Sequence, residues 1–246
     1  MNNFNIKRFL NLIKYRFNLH KRTWLLQIGG IMGIAMIITA LSFIKMTEAS
    51  DFEKFYQIFY SFILLLSGAY VSSRSFTEYS STAKGFAYVM LPASNSEKFM
   101  VPALFSGILY FLIFSVLYSL LALITNVTWS VFYDFPIYVF NPFSESLIKD
   151  TGILFLFYMI IQPMFLFGSI ALRKNHFILT GIGIFIASMV FTLFGLLYAK
   201  IIFVDTNNLN VSFISSDNTL LAYIAIAIFH IVLLFASYFK LKEREI

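Results

Sequence analysis

The chain has 246 residues, of which 59% are hydrophobic and 12% charged, with a net charge of +6 and no cysteine. The apolar excess excludes an ordinary soluble domain and reads as an integral membrane protein, and the missing cysteine excludes disulfides, thiol nucleophiles and thiolate-bound metals. Nucleic acid is not the implied partner of the positive charge: six basic residues fall within the first 22 positions, beside a long apolar run, where they serve a lipid surface or a topology signal.

Residues 4 to 22 read as an amphipathic helix. Ile6, Phe9, Leu10, Ile13 and Phe17 fall on one face, Lys7, Lys14 and Lys21 flank it, and Arg8 and Arg22 lie opposite, while Leu12 and Leu19 depart from the stripe. The expectation is a basic interfacial segment, 1–23, lying on the inner membrane surface with Lys7, Arg8, Lys14, Arg16 and Lys21 towards lipid headgroups. Charges that only set orientation would explain most of the same residues. A cleaved signal peptide fits less well, because the basic region is long and the following apolar run exceeds a signal core.

Residues 24–246 then form a transmembrane domain with a short tail. Six apolar runs approach the roughly 20 residues needed to cross a bilayer: about 24–44, 55–73, 101–124, 151–171, 177–199 and 219–239, none with Asp, Glu, Lys or Arg in its interior. Counted alternately, fourteen Lys and Arg fall on one side and four on the other, and the latter side carries eight of the twelve acids. With positive loops inside, both termini and the loop from 74 to 100 face the cytosol.

Within that loop Lys84–Phe99, KGFAYVMLPASNSEKF, is polar and broken by proline. Pro92 disfavours helix at Leu91. Ser94 and Glu97 have capping-box spacing, so a short helix starts at Ser94 and runs into the third span. A capping box says only that a helix begins there.

On the opposite side, residues 125–150 are aromatic and interrupted by Pro136 and Pro142, which suits an interfacial or shallow re-entrant segment better than a seventh crossing. Asn126-Val127-Thr128 and Asn210-Val211-Ser212 match the glycosylation pattern, which matters only in a secretory-pathway host. Gly29 with Gly33, and Gly181 with Gly183, predict close helix packing against this chain or a second copy. Gln162-Pro163 predicts a bend in the fourth span and a freed carbonyl.

Candidate chemistry is sparse. The chain has no phosphate-binding GxxxxGK[ST] loop, no HExxH and no glycine-rich dinucleotide fingerprint. His20, His176 and His230 are scattered over the N-terminal helix, a short loop and the last span, so no metal site and no catalytic residue is expected. His230 is expected to hydrogen-bond across a helix interface. Ionisable groups at membrane depth are absent apart from His230, which disfavours proton- or sodium-coupled transport and points to an energy source outside the bilayer.

Leu91-Pro92-Ala93-Ser94-Asn95-Ser96-Glu97-Lys98-Phe99, after the second of six spans, resembles the LPAS..EKF loop of bacterial permeases of the type-2 ATP-binding-cassette (ABC) class. The basic helix before the first span and the tail YFKLKEREI resemble the same family. The resemblance covers the layout of the chain, but only about nine residues carry a specific pattern. It implies an all-α polytopic protein of the bacterial inner membrane, with six transmembrane helices, an N-terminal interfacial helix and a cytosolic coupling elbow. It further implies an exporter subunit with no ATP site of its own. A separate cytosolic ABC ATPase subunit would supply ATP and Mg, and a second permease subunit would complete a homodimer or heterodimer. On this resemblance Leu91, Pro92, Ala93, Ser94, Glu97, Lys98 and Phe99 form the ATPase-coupling loop. No substrate-binding residue follows from it. A non-transporting scaffold or accessory subunit would share the same spans, and an intramembrane enzyme would need an acid–base or metal cluster that the sequence lacks.

Overall fold

The computed structural model describes residues 4–43, 49–80, 85, 88, 90–132, 139–145, 147–172, 174–202 and 219–244. Among them the chain is helical. The elements are α1 (Ile6–Phe43), α2 (Ala49–Ser73), a 3-10 turn (Thr77–Ser80), α3 (Asn95–Leu104), a π-helical segment (Phe105–Leu109), α4 (Tyr110–Phe132), α5 (Ile148–Ala171), α6 (His176–Ile202) and α7 (Thr219–Arg244). Six helices are long and apolar enough to cross a membrane, with α3, the π segment and α4 forming one of them, as the six apolar runs predict. Lys84, Arg173 and the Asn210 glycosylation pattern lie outside the described residues.

The first helix begins where local chemistry stops its fraying. Asn5 Oδ1 accepts the Lys7 and Arg8 backbone N–H groups at 2.9 and 3.4 Å, which makes Asn5 the N-cap. Phe4 and Phe9 pack across it with ring centres 5.4 Å apart, a hydrophobic staple. From there α1 runs 38 residues, so no break separates the basic segment expected at 1–23 from the first span. Its length, about 57 Å, is nearly twice the roughly 30 Å of a hydrocarbon core.

Helices α2, α4 and α5 hold the main core, where aromatic rings carry hydroxyls that must find partners in an apolar medium. Three rungs join α2 to α4. Tyr56 meets Thr125 at 2.8 Å, Tyr60 meets Ser115 at 2.7 Å, and Tyr110 donates to Ser67 at 2.7 Å. Thr125, Ser115 and Ser67 each give their own hydrogen to a backbone carbonyl one turn earlier, leaving a lone pair for the tyrosine. Each rung therefore completes both partners.

Two prolines interrupt the helices, and each freed carbonyl is served from a different element. Pro163 has no N–H for the Met159 carbonyl, and His230 Nδ1 on α7 lies 2.6 Å from that oxygen. Because a carbonyl only accepts, Nδ1 carries the hydrogen. This joins two separate expectations, the carbonyl freed by Pro163 and the interhelical bond of His230. Pro102 likewise cannot serve the Lys98 carbonyl, which takes the Tyr88 hydroxyl at 2.8 Å. One turn on, Gly107 leaves helical geometry at φ −93°, ψ −113° and the ladder widens into the π segment. Tyr158 and Gln162 of α5 fill that defect through the Ser106 carbonyl and hydroxyl.

Several expectations need correction. Residues 125–132 are helical, not loop. Asn126 is buried in α4 and donates to the Tyr56 hydroxyl and the Ala122 carbonyl, so it is no glycosylation acceptor. Phe140, from the same aromatic stretch, is packed inside rather than only anchoring at an interface: it is 1% exposed among Tyr56, Tyr60 and Tyr118. Within the chain the glycines that admit a neighbour are not the predicted ones, and packing of the predicted pairs against a second copy is untouched by this. A methyl group at Gly68 would meet the Tyr158 ring and one at Gly168 would meet Thr180, whereas Gly29, Gly33, Gly181 and Gly183 face open space.

Candidate functional site

At the basic end of the bundle the elbow, α3 and the start of α1 converge on one carboxylate. Ser94 caps α3: its hydroxyl accepts the Glu97 N–H at 3.3 Å, and Glu97 Oε2 accepts the Ser94 N–H at 2.9 Å, completing the predicted capping box. The other oxygen reaches across the chain. Glu97 Oε1 accepts the Asn5 N–H at 2.7 Å and an Arg8 guanidinium N–H at 3.1 Å. The N-termini of α1 and α3 thus meet at one negative charge, which complements the positive dipole end of both. Glu97 is wholly buried.

A second acid holds α1 three turns further along. Glu78, on the 3-10 turn after α2, lies 2.9 Å from His20 Nε2 and 3.6 Å from the Arg16 guanidinium. Burial alone would push the Glu78 carboxyl up, but the His20 hydrogen bond and the Arg16 charge outweigh it and hold the carboxyl below its ordinary value. It is therefore a carboxylate, which only accepts, so His20 Nε2 carries the hydrogen. Arg16 also donates to the Ser75 carbonyl and, at 3.2 Å, to the Tyr88 hydroxyl. That hydroxyl in turn serves the Lys98 carbonyl beside Pro102, so Arg16, Tyr88 and α3 form one connected path.

Phe99 ties the elbow to the rest of the bundle. It is buried with Phe76 after α2, Leu166 and Ile170 of α5 and Leu241 of α7. Phe76 stacks on it at 6.2 Å and Tyr238 meets it edge-on at 5.9 Å. The tail expected after residue 239 is the last turn of α7, with Leu241 wholly buried.

The seven loop residues divide into two sets. Ser94, Glu97, Lys98 and Phe99 are buried and hold the elbow internally, while Leu91 and Ala93 are half-buried and Pro92 is exposed. Met90, outside the predicted set, is 67% exposed beside Pro92 and gives the elbow an apolar tip. The basic helix divides similarly. Lys7, Lys14 and Lys21 are exposed, as a surface role requires, but Arg16 is 6% exposed and Arg8 is bonded to Glu97, so these two are spent on acids of the chain and not on lipid headgroups. Glu78, Asn5, His20 and Tyr88 are the site residues that sequence reasoning missed. Only Asn5, one residue before Ile6 at the head of the apolar face, carried a local signal.

Among the described residues the chain is helical, with six helices long and apolar enough to span a membrane, the mark of a membrane protein. No protein-family model, curated protein or solved structure matches the chain.

Proposed function

We propose that this chain is the membrane-spanning permease subunit of a type-2 ABC exporter in the bacterial inner membrane. In this reading both termini and the elbow are cytosolic. A separate ATPase subunit binds ATP and Mg, and a second permease subunit, identical or related, completes the membrane part. The observation that carries the reading is the set of contacts that fix the elbow to the bundle. A handle transmits force only if it cannot slip on the bundle, and the LPASNSEKF segment is capped at Ser94, bonded to α1 through Glu97 and packed on α5 and α7 through Phe99. Its exposed tip at Met90 and Pro92 offers an apolar contact to a cytosolic partner. The excess of basic residues on this side supports the orientation.

The open apolar faces of α1 and α6, with Gly29 and Gly33 uncovered, suit a second membrane subunit as well as lipid. The test is co-purification of an ATPase whose turnover this chain stimulates. A partner that binds without ATP turnover would make the chain a scaffold or accessory subunit, and the absence of any ATPase would remove the proposal.

A further inference from the structure

We propose that the cleft between α1 and the α2–α4 pair binds one anionic phospholipid from the leaflet at the basic end of the bundle. The cleft has a volume of about 750 Å³, within the ordinary range of ligand sites. Lys14 and Lys21 lie two turns apart on one face of α1, about 10 Å along it, and Leu10, Ile13, Phe17, Trp24 and Ile28 of the same helix give the cleft an apolar wall beside them. Phe105 of the π segment and Ile113 of α4 form the opposing wall, with the Trp24 and Phe105 rings 4.6 Å apart. Arg74, at the end of α2, adds a third charge to the rim.

Among the described residues no acidic one lines the cleft. Arg16 and His20, which also line it, are paired with Glu78. The charge open to a ligand is therefore that of Lys14, Lys21 and Arg74. Lys14 and Lys21 are exposed and form no ion pair among the described residues, and Arg74 is exposed and contacts the Tyr70 hydroxyl and ring but no acid among them. An inorganic anion would satisfy this rim but not the apolar walls, and a neutral lipid would satisfy the walls but not the rim. A phosphate head with acyl tails satisfies both. Entry is from the side, because the lip of the cleft at Phe17 and Leu25 is more than half exposed.

Trp24 is a built-in reporter, since the chain has two tryptophans and Trp129 can be replaced by phenylalanine. Full-length Trp129→Phe protein in detergent is titrated at low mole fraction with phosphatidylglycerol or phosphatidylcholine carrying brominated chains, which quench tryptophan on contact. The expected result is saturable quenching by phosphatidylglycerol at concentrations at least tenfold below those needed for phosphatidylcholine. Half a molar salt should remove the difference. Lys14→Gln with Lys21→Gln should weaken phosphatidylglycerol binding roughly thirtyfold, the value of two basic groups beside an anionic head, and the Lys→Arg pair should restore it. Inorganic phosphate should not displace the lipid.

Equal quenching by the two lipids, insensitivity to salt, or full displacement by phosphate would overturn the proposal. The salt comparison needs no further substitution, so it decides the matter even where the glutamine variants do not fold. No ATPase enters the measurement, so its failure would leave the transport proposal untouched.

Discussion

Replacing Glu97 by alanine should release the start of α1 from the elbow without disturbing the membrane core. The carboxylate accepts two backbone N–H groups, those of Ser94 and Asn5, and one guanidinium N–H of Arg8. Arg8 keeps about a quarter of its side chain in contact with solvent, so its ion pair is screened and adds well under 1 kcal/mol. The two backbone groups decide the magnitude. Losing a cap partner costs about 0.5 to 2 kcal/mol, and leaving a buried N–H without an acceptor costs about 1 to 3 kcal/mol. A combined loss near 3 kcal/mol, confined to this corner, corresponds to roughly a hundredfold faster amide exchange at Asn5 and Ser94. Glu97→Gln keeps one acceptor oxygen, which can hold the Ser94 N–H or the Asn5 N–H but not both, and should fall between the parent and Glu97→Ala. Hydrogen exchange with mass spectrometry, comparing peptides over residues 4–16 and 90–100 with one from α4, reads all three proteins. Unchanged exchange at both ends of the bond in Glu97→Ala, or equal acceleration throughout α4, would refute a local clamp.

Tyr88→Phe removes the group that joins Arg16 to the Lys98 carbonyl and should cost about 1 to 3 kcal/mol, read as a lower melting temperature in detergent; an unchanged value would show that the path carries no stability. His230→Phe should cost less in a Pro163→Ala background, where the Met159 carbonyl regains a backbone donor. The cycle should give a coupling of about 0.6 to 1.7 kcal/mol, and strict additivity would separate the two residues. For Glu78, a folded value held below the ordinary 4.5 means that its stabilisation is complete above that pH and is lost as pH falls through the depressed value. The melting-temperature difference between the parent and Glu78→Gln should therefore be constant above pH 5 and shrink below 4.5; a difference that grows on acidification would contradict the sign. Phe99→Ala, which opens a cavity where α3, α5 and α7 meet, should cost about 3 to 5 kcal/mol and lower the melting temperature more than Tyr88→Phe; a smaller fall than Tyr88→Phe would refute that packing role.

Bilayer thickness made the six spans legible, because a span must be long, apolar and uncharged whatever it packs against. The start of α3 was equally readable: a capping box is complete within four residues, and Ser94 and Glu97 find each other without outside help. The carbonyl freed by Pro163 and the interhelical bond of His230 were each legible, yet their meeting was not, since they lie on different helices. The charged residues of α1 show where such reading stops. Arg8, Arg16 and Lys14 look alike on a helix, and only contacts 59 to 89 positions away turn two of them inward. Asn126 was misplaced for the same reason: an asparagine at the end of an apolar run reads as the start of the next segment unless the Tyr56 hydroxyl that it meets inside the bundle is known. GxxxG marks a face that can approach closely, whereas the faces that do are set by Tyr158 and Thr180, which no spacing rule selects.

The most direct test of the account is ATP hydrolysis by the affinity-purified complex, comparing the parent chain with Ser94→Ala/Glu97→Ala at equal membrane abundance. The account predicts that an ATPase co-purifies with the parent, that its turnover rises in the presence of the membrane chain, and that the double variant holds less ATPase and loses the stimulation while its six spans stay inserted. An ATPase that binds and responds to the double variant as it does to the parent, or a parent chain that brings down no ATPase at all, would contradict the account.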